Sequence, residues 1–285
     1  MSNNPRVYIP SRGRPGNVSK LVTAWDNQFF DVFFMVEPDE LEIYQKEVKL
    51  AGAEDFTTVL ALPDRNLGVG FSRTQCLKHA QADGFESIIC SDDDIKPTSG
   101  MDNLIDTAAD PMVLGVTAWY SYQDLMLGIK GSKRDDLILC PSCIVRLFGL
   151  NVENSLEIGG FDAELRCGDD ADFMIRGVIE GWPWLIHLGA KATSFAPRFA
   201  TGGVEALENA VTDGEVVGAK GQATRDAVAR IAEEFPDIAN AVRPDKLSYK
   251  WRKLYDEYLP DWKHWSALHG GDIKNYFGTG WMQNG

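Results

Sequence analysis

Short apolar runs alternate with amphipathic stretches through the first third of the chain. Val7-Tyr8-Ile9-Pro10 reads as a strand, followed by the polar turn Ser11–Gly16 and a helix over Val18 to Trp25. Phe29 to Val36 is apolar apart from Asp31, the pattern of a strand buried on both faces. Glu37-Pro38-Asp39 ends it, and Asp39 is placed to cap a helix from Glu40 to Ala51. Thr57 to Ala61 predicts a third strand. Asn66-Leu67-Gly68-Val69-Gly70 reads as a loop before a helix near Phe71 to Ala82. A further strand begins at Ser87 and runs into Asp92-Asp93-Asp94. Strands alternating with helices to that point predict parallel βαβ units, and so an α/β fold.

Beyond Asp94 the periodicity changes. Met112 to Tyr122 and Leu137 to Leu147 predict strands, with Lys130 to Asp136 as a polar loop between them. Leu156 to Asp162 is rich in turn residues, Asp170 to Glu180 has helical spacing, and Trp184 to Leu188 predicts a short final strand. From Val204 the pattern is mainly helical, and Thr201 to Gly221 reads as the most mobile loop, its glycines and alanines leaving little to anchor it. The expected organisation is a catalytic α/β domain over residues 1–203 and a helical C-terminal extension over 204–285.

Composition narrows the class. A chain of 285 residues can bury a sizeable core. No run approaches the length of a membrane span, and the polar start carries no secretory signal. Cys76, Cys90, Cys140, Cys143 and Cys167 are odd in number, which predicts a reduced, cytoplasmic protein. Cys140-Pro141-Ser142-Cys143 lacks the second pair that zinc needs, leaving a redox pair or two core thiols. A net charge of −14 excludes a uniformly basic nucleic-acid surface but not a local patch. From Arg243 onward seven Lys and Arg face five Asp and Glu, interleaved with Tyr249, Trp251, Tyr255, Trp262 and Trp265. That tail is either a stacking and phosphate surface or a pair of amphipathic helices packed on the catalytic domain. Lys130-Gly131-Ser132-Lys133-Arg134 is a second basic stretch suited to DNA.

The acid clusters bear most on function. Three adjacent carboxylates repel one another and would be prohibitively costly inside a core, so Asp92-Asp93-Asp94 is expected at the exposed C-terminal end of its strand. In open α/β sheets ligands bind at that edge, and clustered hard oxygen ligands suit Mg²⁺ or Mn²⁺ shared with substrate phosphates. A solvated acidic turn is the plainer alternative. Asp169 and Asp170 open a predicted helix, where free N–H groups favour an anion. Such a carboxylate can either cap the helix or take a proton from an acceptor hydroxyl. Arg12 and Arg14 on a Gly- and Pro-constrained turn are suited to clamping a diphosphate or a base.

The segment Asn66-Leu67-Gly68-Val69-Gly70-Phe71-Ser72-Arg73, followed by Ile88 to Asp94, resembles the GT-A-fold glycosyltransferases. Gly159-Gly160-Phe161-Asp162 and Gly168-Asp169-Asp170-Ala171-Asp172-Phe173 are similar to the second acidic block of inverting members, galactosyltransferases especially. Within that resemblance, "IPSRGRP" at Ile9–Pro15 and "VEPDE…Y" from Val36 are similar to the TET-associated glycosyltransferases of bacteriophages, which put sugars on hydroxymethylated pyrimidines in DNA. The match spans roughly residues 5 to 200.

The resemblance implies a Rossmann-like, mostly parallel sheet flanked by helices. It implies a metal-dependent, inverting transfer from a nucleotide sugar, UDP-glucose or a relative, to a hydroxyl such as that of 5-hydroxymethylcytosine, in the host cytoplasm. Pro10, Ser11, Arg12, Arg14, Asn66, Gly68, Arg73, Asp92 and Asp93 would surround the donor, and Asp92, Asp94 and His187 would hold Mn²⁺ or Mg²⁺. Asp170 matches the usual base and Asp169 its acidic neighbour. The family generally has Glu at the earlier position, so the division of labour between the two stays open. A lone strand histidine such as His187 is equally a satisfied core residue, and His264 and His269 are weaker candidates. A transferase acting on glycans is the nearest alternative, and the acidic composition suits it. A binding module without turnover is another, but it has no need of an acid at the acceptor side.

Overall fold

The computed structural model describes residues 4–26, 29–119, 136–139, 145–163, 169–180 and 182–195. Within them, strands β1 (Arg6–Pro10), β2 (Asp31–Val36), β3 (Thr57–Ala61) and β4 (Ser87–Ser91) pair in parallel, in the order β3-β2-β1-β4. Helices α1 (Val18–Trp25), α2 (Leu41–Leu50) and α3 (Gly68–Ala82) make the crossovers. Each strand alternates its side chains between two cores. Val7, Ile9, Val32, Phe34 and Val36 pack on one face with Val18, Leu21, Val22 and Trp25, the i, i+3, i+4, i+7 stripe of α1. Tyr8, Phe33, Met35, Ile88 and Cys90 face the other core, with Cys76, Leu77 and Ala80 of α3.

The chain moves outward from β1 to β2 and β3, then returns to the other side of β1 as β4. The C-terminal ends of β1 and β4 therefore flank a topological switch point, the place where open α/β sheets form a ligand crevice. Beyond β4 the sheet becomes mixed, with β5 (Ile95–Ser99), β6 (Gly115–Trp119), β7 (Leu137–Leu139), β8 (Leu147–Asn151) and β9 (Trp184–Ser194). The order continues β4-β8-β6-β9-β5, with β7 paired to β9. Helices α4 (Met101–Ala108), α5 (Val152–Glu157) and α6 (Asp169–Ile179) complete the described elements. Among the described residues no helix is long and apolar enough to cross a membrane. Cys76 and Cys90 are buried free thiols.

Several expectations are corrected. The run from Leu137 to Leu147 is not one strand: Leu137–Leu139 pairs with β9 and Leu147–Asn151 with β4 and β6. The segment read as turn-rich from Leu156 overlaps α5, whose start is capped by Asn151 accepting from the Asn154 N–H at 3.0 Å. Asp39 does not cap α2. Pro38 opens a 3-10 turn ahead of the helix, and Asp39 pairs with Arg65 instead. Helix α3 begins at Gly68, so Gly68 to Gly70 form its first turn and not a loop. β5 carries Pro97 and had no strand signature; it lies at the sheet's edge, where a missing N–H is tolerated. Residues 130–134, 140–143, 167, 168 and 201–285, with the basic stretches, CxxC pair and tail histidines named above, lie outside the described residues.

Candidate active site

The turn after β1 is held from one side by the segment after β2. The Glu37 carboxylate accepts from Arg12 Nε at 3.2 Å and from the Asn66 N–H at 3.0 Å. Glu40 accepts from the Gly13 N–H at 2.7 Å. The Tyr44 hydroxyl accepts from the Arg14 N–H at 3.1 Å and shares a 2.6 Å hydrogen bond with Ser11 Oγ. Asn66 sits at φ 57, a left-handed conformation that Asn tolerates, and its side chain accepts from Arg12 at 2.5 Å. "SRGR" and "VEPDE…Y" are thus two halves of one structure. Sequence reasoning carried Glu37, Glu40 and Tyr44 only as letters of a pattern. Tyr44 is fully buried, and Tyr44→Phe removes a partner from both Ser11 and Arg14. An unfolding free energy lower by about 1–3 kcal/mol is expected in denaturant titrations, and a change below that range would show the turn is held without it.

The three acids after β4 have three different fates. Asp93 turns inward: it accepts from Ser11 Oγ at 2.6 Å and from Arg14 at 2.5 Å, and its backbone carbonyl accepts from Asn17 at 3.1 Å. It fastens the β1 turn to the end of β4. Asp94 lies 3.7 Å from Arg14, and its carbonyl is anchored by the Phe195 N–H and Ser194 Oγ at the end of β9. The Asp92 side chain is 38% exposed, yet protein surrounds it on most sides, which describes a group at the floor of a cleft. Burial there, with the charges of Asp94 and Asp93 adding to it against Arg73, pushes its pKa up to about 7.

Arg73 joins this block to the second one. Its Nη2 lies 3.3 Å from Asp92 Oδ1, and its Nη1 donates to Asp169 Oδ2 at 3.0 Å. Its side chain is 7% exposed, and the guanidinium sits over Phe148 and Phe161, with the carbon 5.3 and 5.4 Å from the ring centroids. Burial works against its charge, but Asp169, Asp92 and Asp170 outweigh that and raise its pKa. Arg73 is therefore an internal bridge in this structure, where the resemblance implied a donor contact. Asp169 is 5% exposed; burial raises its pKa despite Arg73, and neighbouring Asp170 adds to the rise. Removing one partner of such a buried pair costs roughly 3–5 kcal/mol because the other charge is left behind. Asp170, half-buried, is the next residue of the first turn of α6.

Two close approaches hold the second block against α3. A Cβ on Gly70 would stand 2.7 Å from the Asp162 carbonyl oxygen, and one on Gly160, at φ +73, would meet Thr74 Oγ1 at 2.7 Å. Thr74 Oγ1 donates to the Phe161 carbonyl at 3.1 Å and accepts from its N–H at 2.9 Å. Gly68 opens α3 at φ +86, and Pro10 ends β1 opposite Met35.

The residues suit a divalent cation. Asp92 and Asp94 set two carboxylates close together at the end of β4, with Arg73 beside one and Arg14 beside the other. Two carboxylates with substrate phosphates and water are the usual surroundings of Mg²⁺ or Mn²⁺. Among the described residues no three His, Cys, Asp or Glu side chains form a ligand cluster. His187 is 7% exposed and its pKa is lowered by burial. Its Nδ1 accepts from the Gly189 N–H at 3.0 Å, so the neutral ring carries its proton on Nε2. A metal-bound imidazole does the reverse, donating from its second nitrogen. His187 is thus buried and hydrogen-bonded in this geometry.

Residues 5–105 match the family described as TET-Associated Glycosyltransferase. No curated protein matches the chain in sequence. Among solved structures, the mannosyltransferase PcManGT from Pyrobaculum calidifontis, in complex with GDP-Man and Mn²⁺, is similar over 96% of this chain and 84% of its own, at 14% identity and a TM-score of 0.55. GalNAc-T7 with UDP, GalNAc and Mn²⁺ is similar over 68% of this chain at 12% identity and a TM-score of 0.53; this chain spans 44% of its length. Residues 5–105 are thus similar to the TET-associated glycosyltransferases, and the chain shares the fold of these two solved structures.

Proposed function

We propose that this chain transfers a sugar from a nucleotide diphosphate sugar, glucose from UDP-glucose in the first instance, to the hydroxyl of a 5-hydroxymethylpyrimidine in DNA. One observation carries the reading. Asp92 and Asp169, 77 positions apart in sequence, meet the same buried arginine beside the crevice between β1 and β4. A donor-side acid block and an acceptor-side acid block are thereby adjacent. Asp92 and Asp94 would hold a divalent ion, whose charge offsets that developing on the leaving diphosphate. The solved structures similar in fold hold UDP or GDP-Man with Mn²⁺, which supports this class of donor. Arg12, exposed beside Asn66, and the Arg14 turn line the donor side.

Asp169 is buried against Arg73, and the half-buried Asp170 that follows it at the start of α6 is the base in this reading. Asp170 takes the acceptor hydroxyl's proton, the oxygen bonds to the anomeric carbon, and the diphosphate departs with the electron pair of the broken C–O bond. In-line displacement of this kind inverts the anomeric centre. The DNA acceptor is supported by the family matched over residues 5–105. The test is incubation with duplex DNA containing 5-hydroxymethylcytosine, Mn²⁺ and UDP-glucose, UDP-N-acetylglucosamine or GDP-mannose, followed by nucleoside mass spectrometry. A hexosylated nucleoside is expected. An unchanged nucleoside with every donor, beside transfer to an oligosaccharide, would move the acceptor to glycans, which the net charge of −14 favours.

A further inference from the structure

We propose that Arg73 is a positioning residue that couples the two acid blocks, so that a cation taken up by Asp92 releases Arg73 to clamp Asp169 and the acceptor-side helix α6. The inference rests on the reading of Asp92 as a cation ligand. Gly70, Arg73 and Thr74 lie at i, i+3 and i+4 on one face of α3: Gly70 leaves room for the Asp162 carbonyl, Arg73 donates to Asp169 and Thr74 to the Phe161 carbonyl. That face sets the spacing between the blocks. Arg73 is the member of it that also reaches the donor side.

Its two arms are unequal. The arm to Asp169 is 3.0 Å long, and both side chains are about as buried as the core, at 7% and 6% exposed. The arm to Asp92 is 3.3 Å long and ends on a carboxylate 38% exposed to the cleft. The longer, wetter arm is the one a divalent cation can replace. Phe148 and Phe161 flank the guanidinium, and Phe161 stacks on Phe173 of α6, with centroids 4.0 Å apart and planes 8° apart. A shift of Arg73 toward Asp169 is thus passed to α6 through packed rings as well as through charge. A planar fork with its two terminal nitrogens on two carboxylates suits this bridging, where a lysine offers a single point.

The test is calorimetric titration of Mn²⁺ with UDP, and separately with GDP, into wild type, Asp169→Asn, Arg73→Gln and the double variant, with circular dichroism reporting the fold. Asp169→Asn leaves Arg73 bound to Asp92 in competition with the cation, so Mn²⁺–nucleotide affinity is expected to fall about five-fold or more. With Arg73→Gln present, the same Asp169→Asn change is expected to do nothing beyond two-fold. An equal effect in both backgrounds overturns the coupling. A loss of ten-fold or more from Arg73→Gln alone overturns it too, by marking Arg73 as a phosphate ligand. If Arg73→Gln does not fold, Arg73→Lys decides: coupling at the wild-type level in that variant overturns the bridging role, and coupling reduced by at least half supports it. Failure of wild type to bind either nucleotide with Mn²⁺ would overturn the donor reading and the coupling together, whereas binding without coupling overturns the coupling alone.

Discussion

Asp170→Asn is expected to lower sugar transfer by roughly 10²–10⁴, the usual worth of a positioned general base. The substitution keeps size and can still accept from the free N–H groups at the start of α6, so the helix should persist. Binding of a nucleoside diphosphate should stay within a few-fold, because the residues proposed for the donor side, Arg12, Arg14, Asp92 and Asp94, stand on other elements. The signature is therefore a fall in kcat with little change in donor KM. The assignment depends on the buried ion pair between Asp169 and Arg73, which occupies the neighbouring carboxylate. A variant transferring sugar at near wild-type rate would return the base role to Asp169, and the Arg73 contact would then have to open during turnover.

The first half of the fold was legible because its signals are local. Val18–Trp25 and Thr57–Ala61 fall where the 3.6- and 2-residue periods put them, and the unbroken apolar run of β2 announced a strand covered on both faces. The second half depends on pairings between distant segments. β8 runs antiparallel beside β4 and β6, and β5 meets β9 nearly a hundred residues later; no periodicity within either segment encodes such a partner. The site shows the same division. The acids were visible as charges too costly to bury together, but Asp92, Asp93 and Asp94 are chemically identical. Only the arrangement of Ser11, Arg14 and Asn17 turns Asp93 inward. Arg73 was visible as a cation near acids. Its role as an internal bridge comes from the two carboxylates and two aromatic rings that the fold brings round it. His187 shows the converse: its place in the sequence left a ligand and a core residue equally open, and only the fold supplies the backbone N–H that meets its Nδ1.

Asp92→Asn is expected to lose most sugar transfer while making the chelator-treated protein more stable at neutral pH. Both results follow from one carboxylate set in a cleft beside two others. In the folded, metal-free protein its pKa is raised from 3.8 to about 7, first by burial and then by Asp94 and Asp93, with Arg73 opposing. Between those two values the folded chain keeps a proton that the unfolded chain has released. Stability from this group is therefore present at acid pH and is lost progressively as pH rises to about 7. Asparagine has no proton to lose there. The thermal midpoint of Asp92→Asn should gain on that of wild type from about pH 4 to about pH 7 and hold level above it, measured in chelator on both proteins. A cation must displace the same proton, so Mn²⁺ affinity of the wild type should fall as pH drops below about 7 and level off above it. A midpoint difference that stays constant across this range would return Asp92 to the ordinary carboxylate range. The proposal of Asp92 as a cation ligand would then rest on its place beside Asp94 alone.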